Sequence, residues 1–94
     1  MTYLIKLSSS SKRALKKLGR SGTFDSTVFN EVVHILEKGI AFPARYKDHQ
    51  LHGELAHLRE CHLGFDLLLL YERADMLGVV VISDIGTHTE LFGE

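Results

Sequence analysis

Residues 46–92 hold the side chains in this chain that are best suited to proton transfer. His49 ends the run Lys47-Asp48-His49, and His62 ends Arg59-Glu60-Cys61-His62. Asp66 precedes the apolar run Leu67-Leu68-Leu69-Leu70, and His88 ends Gly86-Thr87-His88, with Phe92 four residues further on. Histidine changes charge near neutrality, so it can both take and give a proton at physiological pH. Cutting a phosphodiester beside a 2′-hydroxyl without a metal needs both steps. A base removes the hydroxyl proton, an acid protonates the leaving 5′-oxygen, and cations or donors hold the charge that builds on phosphorus. Arg59, Lys47 and Arg45 are the cations nearest in sequence. Arg59 can equally be a strand-surface residue paired with Glu60 or Glu72.

The remaining histidines fit other readings. His34 falls inside a helical stripe and reads as structural or solvent-facing, and His52 and His57 stand outside the motifs above. His49, His52, His57 and His62 do not have the spacing of a common structural zinc site, and Cys61, the one cysteine, offers no thiolate pair. The expectation is therefore a site without metal and without cofactor.

These residues need a scaffold that brings strand and loop ends together. Residues 2–7 alternate and read as a strand. The serines at 8–11 offer N-caps, and residues 12–18 place Ala14, Leu15 and Leu18 on one helical face. Asp25 or Ser26 can cap a second helix with the stripe Val28, Phe29, Val32, Val33, Ile35 and Leu36, stopping at Lys38-Gly39. Residues 41–53, which include Pro43, read as a loop. Strands are expected at 55–62, 67–72 and 77–82, the second apolar on both faces like a central strand. The expected fold is α+β in the order β-α-α-β-β-β, an antiparallel sheet packed against an N-terminal helical hairpin.

Composition sets the bounds. The 94 residues suit one domain, 1–94, with 45% apolar and 24% charged residues. A single cysteine excludes an internal disulfide and fits a reducing compartment. The amino-terminal residues do not read as a signal peptide, and no apolar run is long enough for a bilayer, so a cytoplasmic protein with no membrane partner is expected. Net charge is only −1, but residues 1–20 carry Lys6, Lys12, Arg13, Lys16, Lys17 and Arg20 with no acid. A basic first helix can lie along phosphates, face solvent or dock an acidic partner.

In motif order, residues 46–92 resemble the RelE superfamily of bacterial toxins, most closely its YafQ-like branch. His49 matches the histidine of a Lys-Asp-His segment. His62 and Asp66 match a histidine–aspartate pair at this spacing, His88 matches the histidine of a Gly-Thr/Ser-His motif, and Phe92 matches an aromatic near the terminus. The resemblance implies a RelE/ParE-like fold and a ribosome-dependent mRNA endoribonuclease of a type II toxin–antitoxin pair. It implies metal-independent cleavage, with His49, His62, Asp66 and His88 catalytic and Arg59, Lys47 and Phe92 binding substrate. His88 would be the general acid, His49 or Asp66 the base, and His62 would orient or stabilise the phosphate. The partners implied are a cognate antitoxin, the ribosome with its mRNA, and DNA only through the antitoxin. Two departures stand out. Asp84 occupies a position where the family usually has arginine, and Leu67 one where it often has tryptophan. An anion at 84 facing the phosphate would weaken cleavage, which leaves room for an inactive antitoxin-binding module. A ParE-like gyrase inhibitor shares the fold without this histidine set.

Overall fold

A computed structural model describes residues 2–22 and 24–93. Five strands form one sheet: β1 (Leu4–Leu7), β2 (His49–Gln50), β3 (Arg59–Gly64), β4 (Leu67–Ala74) and β5 (Val79–Gly86). Their order across the sheet is β1-β5-β4-β3-β2. Helices α1 (Ser9–Ser21) and α2 (Ser26–Lys38) separate β1 from β2, and α3 (His88–Phe92) follows β5. The α+β class and the leading helical hairpin are as expected.

Three features differ from the expectation. The sheet is not wholly antiparallel, because β1 pairs parallel with β5, Leu4 opposite Val79 through Leu7 opposite Ile82. Residues 49–50, read as loop, add a strand at the edge. β3 begins at Arg59 rather than near residue 55, because Gly53–Leu55 coil into a 3-10 turn.

Capping sets the helix ends. The Ser8 side chain accepts from Ser11 N and starts α1. Asp25 accepts from Thr27 N and Val28 N and starts α2. Such caps satisfy amide donors that the first turn leaves without helical partners. Ser11 is fully buried, and its hydroxyl donates to Ile82 O at 2.7 Å. The Ser8 hydroxyl donates to Ser83 O at 2.7 Å. Where β1 ends, these serines take over the free edge of β5 and fasten the start of α1 to it.

The helices cover one face of the sheet. Val32, Ile35 and Leu36 of α2 pack with Cys61, Leu63, Leu69, Tyr71, Val80, Ile82 and Ile85. Side chains alternate along a strand, so Glu60 and His62 of β3 face away from this cluster. Leu58, Leu68 and Leu70 are also buried but lie outside it. Leu68 pairs with His62 and Leu70 with Glu60, which puts these leucines on the face that carries the histidine.

Leu36 is completely buried in the helix-covered cluster. Leu36→Ala is expected to lower unfolding free energy by about 2–5 kcal/mol, read as a shifted urea midpoint at unchanged slope. A loss below about 1 kcal/mol would contradict the packing described here.

Candidate active site

His62 is carried by β3 on the face opposite α1 and α2, between the buried Cys61 and Leu63. Its side chain is 20% exposed. Burial is the main cause of a His62 pKa below the usual histidine value; the charges of Lys47, His49 and His88 lower it further against the opposing pull of Glu60. At neutral pH His62 is therefore mostly uncharged, the state a proton acceptor needs.

His49 reaches the same face through its pairing with Glu60. A turn aims it. Lys47 adopts a left-handed conformation with φ of 51°, and its carbonyl lies 2.7 Å from His49 Nδ1. A carbonyl only accepts, so Nδ1 carries the proton and Nε2 holds the lone pair of the neutral ring. The preceding residue, Asp48, is fixed from the other face of the sheet. Its carboxylate accepts from Arg59 Nη2 at 2.7 Å and from the Tyr71 hydroxyl at 2.5 Å. Burial, and secondarily the bond to Asp48, pushes the Tyr71 phenol up, so it remains a donor.

Glu60 lies between the two rings. It is 5% exposed, and its two oxygens are each 3.6 Å from a histidine nitrogen: Oε2 from His49 Nε2 and Oε1 from His62 Nε2. This buried carboxylate lies within ion-pair distance of both rings and raises the His62 pKa against the effect of burial. Sequence reading passed over Glu60. Its signal was the spacing of two from His62 on a strand, which puts both side chains on one face.

Asp66 sits in the turn between β3 and β4, and His88 opens α3. Asp66 Oδ1 accepts from His88 N at 3.1 Å and from His88 Nδ1 at 2.7 Å. The bond from the His88 ring, followed by that from its amide, holds the Asp66 carboxyl below the usual aspartate value. The carboxylate fixes the proton on Nδ1, so Nε2 is the nitrogen available for exchange. Thr87 caps α3 in a reciprocal arrangement with Glu90. Gly86 lets this helix pack close, since a Cβ there would meet Glu90 and Leu91 atoms at 3.1–3.3 Å. His88 and Phe92 are four apart on α3, so they share a face. Their rings are 6.3 Å apart, and the His62 and His88 rings are also 6.3 Å apart.

The fold thus brings His62, Asp66, His88 and Phe92 together and joins His49 through Glu60. Lys47 stands beside His62, lowering its pKa by charge and lining the same cleft. Arg59, expected as a substrate cation, is the one residue of that set on the opposite face. It lies an odd number of residues from His62, on the face with Tyr71, and is held by Asp48 and by Gln50 Oε1. Neither Glu60 nor Glu72 is its partner; the pairing is with Asp48 across the strand edge.

Asp84 also departs from expectation. It pairs with Leu70 and so belongs by register to the histidine face. Its carboxylate, however, accepts from the Ser10 hydroxyl and from Ile85 N, both at 2.9 Å. It is turned toward the first turn of α1, in a groove that Arg13 and Lys17 also line. Leu67 is half-buried and packs against the core. Cys61 is fully buried, and burial pushes its thiol up, which leaves it inert. Among the described residues, no group of three or more His, Cys, Asp or Glu is placed to hold a metal ion.

Comparison with known proteins gives a consistent picture. A family model described as the bacterial toxin YafQ of type II toxin–antitoxin systems matches residues 3–93. The mRNA interferase toxin YafQ of Escherichia coli K12 is 36% identical over 59 residues, 63% of this chain and 62% of that protein. The matched segment therefore spans less than two thirds of that relative. The crystal structure of a metal-bound toxin from Helicobacter pylori superposes with a TM-score of 0.88 at 36% identity, covering 98% of this chain and 100% of that one. The toxin–antitoxin complex DinJ–YafQ of E. coli gives 0.87 at 26% identity, covering 99% and 100%.

If the His88 ring holds the Asp66 carboxyl down, His88→Ala should raise the Asp66 pKa toward the ordinary aspartate value while the amide bond remains. A carbon-detected NMR titration reads this directly. An unchanged Asp66 titration would show that the dyad does not form in solution.

Proposed function

Because the chain belongs to the YafQ family of toxins from type II toxin–antitoxin systems, its residues 3–93 matching that family, we propose that it is an endoribonuclease that cuts mRNA in the ribosomal decoding site. The observation that carries this reading is the facing pair of imidazoles, one mostly neutral by burial and the other backed by a carboxylate, with rings 6.3 Å apart. Groups in such different environments can divide acid and base work at one pH.

In the proposed reaction the 2′-hydroxyl of the upstream nucleotide attacks the adjacent phosphorus. His62 accepts the hydroxyl proton as general base. The bond from phosphorus to the 5′-oxygen breaks, and His88 Nε2 protonates that oxygen. The products are a 2′,3′-cyclic phosphate and a 5′-hydroxyl end. His49 and Lys47 face the developing phosphorane charge, and Glu60 holds the His49 and His62 rings in register. This assignment differs from the expectation in two roles. Asp66 is committed to His88 and serves as its positioning residue rather than as a base, and His62 rather than His49 takes the hydroxyl proton because burial keeps it neutral. Phe92 offers a ring beside His88.

Docking on the ribosome is supported by α1, whose Lys12, Arg13, Lys16, Lys17 and Arg20 are exposed with no acid on the helix. Such a stripe favours a phosphate-rich surface. A small antitoxin is the proposed protein partner, since a close structural neighbour was solved as a toxin–antitoxin complex; contact with DNA would come only through that antitoxin. Among the described residues, no helix is long and apolar enough to cross a membrane. A second reading, an antitoxin-binding module without nuclease activity, is favoured by Asp84 alone. With its carboxylate held by Ser10, that anion opposes the phosphate less than its position in the sequence suggests.

Expression without antitoxin should arrest growth. His88→Ala should relieve the arrest and slow single-turnover cleavage of a programmed ribosome roughly 10² to 10⁴-fold. Equal cleavage by both proteins would remove His88 from the mechanism.

The pH profile tests the base. His62 acts when neutral and its pKa is lowered, so on the acid side of the profile activity should fall only as pH drops below the usual histidine value of 6.5. Loss of activity already above that value would assign the base to another group.

A further inference from the structure

We propose that Phe65 is a nucleobase platform, the ring on which a base flanking the cut phosphate stacks. This rests on the nuclease reading and names the element that grips the RNA. Phe65 stands at the tip of the β3–β4 hairpin, directly before Asp66, and its side chain is completely exposed. Tight turns usually carry glycine, asparagine, aspartate or serine for conformational reasons, and no core contact explains a phenyl ring there. The ring stands at the rim of a cleft of about 440 Å³, lined also by Arg45, Lys47, Tyr46, His62 and Gly64.

The chemistry of that cleft selects a nucleotide. Lys47 supplies an exposed cation for a phosphate, and Arg45 a second one, paired with Glu31 and set 4.8 Å from the Tyr46 ring centroid. His62 brings the cleft to the reacting atoms. An exposed aromatic face next to cations binds single-stranded nucleic acid by stacking, which tolerates any base because every base has a π-face. Phe92 flanks the histidine pair from the other side, 6.3 Å from His88. The RNA would thus pass between two rings, with the phosphate at His62 and His88 and one base laid on Phe65.

Because Phe65 is fully exposed, its replacement leaves the core intact, and circular dichroism can confirm that each variant folds. In single-turnover cleavage of a programmed ribosome, Phe65→Ala and Phe65→Leu should each lose roughly 10 to 100-fold at subsaturating toxin, while Phe65→Trp keeps the wild-type rate. The aromatic rescue separates stacking from mere bulk. The chain contains no tryptophan, so Phe65→Trp also installs a single fluorophore. A short RNA with a 2′-deoxy sugar at the cut position should quench it saturably. Wild-type cleavage undiminished in Phe65→Leu would overturn the proposal and leave the nuclease reading standing. If wild type does not cut at all, the nuclease reading fails and the quench decides the platform: absent quenching would overturn it. Intact cleavage with weakened antitoxin binding in Phe65→Ala would also overturn it, by showing that the ring meets protein rather than RNA.

Discussion

The two-residue period of β3 is the constraint on which the site depends. Cys61 and Leu63 go into the layer beneath the helices, so Glu60 and His62 must face the other way. A slip of one residue would bury the imidazole and expose the thiol. The apolar partners prevent that slip, because Leu69 and Tyr71 opposite this strand are fully buried. Pairing then carries the face outward: Glu60 fixes His49 on one side, and Leu68 leads to Gly86 on the other. Gly86 admits α3 close against the sheet, and α3 delivers His88 back to Asp66 at the hairpin tip. Four segments distant in sequence meet through one strand register.

Environment then separates groups that begin chemically alike. His62 is desolvated and pushed toward the neutral form. His88 is half-exposed and donates Nδ1 to a carboxylate that is itself held ionised. The first suits a base and the second an acid. The cationic side chains are distributed with similar economy. Arg59 is taken up by Asp48 and secures the residue next to His49, while Lys47, one position earlier, stays exposed at the cleft.

Much of this was legible in the sequence, and the limits have physical causes. Capping chemistry pointed to the serines at 8–11 and to Asp25 or Ser26 as helix starts, of which Ser8 and Asp25 are the caps, and the central strand followed from its unbroken apolar run. His49, His62, Asp66, His88 and Phe92, which the fold brings together, were singled out by residue type and motif. The parallel pairing of β1 with β5 was not legible, because nothing local marks a strand that returns across the whole chain to pair. Arg59 was misplaced for the same reason: its partner Asp48 lies 11 residues away across a strand edge, and charge alone pointed as well to Glu60 or Glu72. Whether Asp84 faces the site was not legible either. The register slip between Leu70 and Tyr71 leaves Ser83 extra on β5, and the Ser10 hydroxyl draws the carboxylate to α1. Glu60 was within reach, since strand periodicity alone sets it beside His62.

In the proposed reaction two histidines move protons around an attack by the RNA's own 2′-hydroxyl. The chemistry of the cut ends tests it most directly. Mass spectrometry of the fragments from a ribosome-bound mRNA should show a 2′,3′-cyclic phosphate on the upstream piece and a 5′-hydroxyl on the downstream piece. A 5′-phosphate on the downstream piece would mean that water attacked instead, and the acid–base account of His62 and His88 would be wrong.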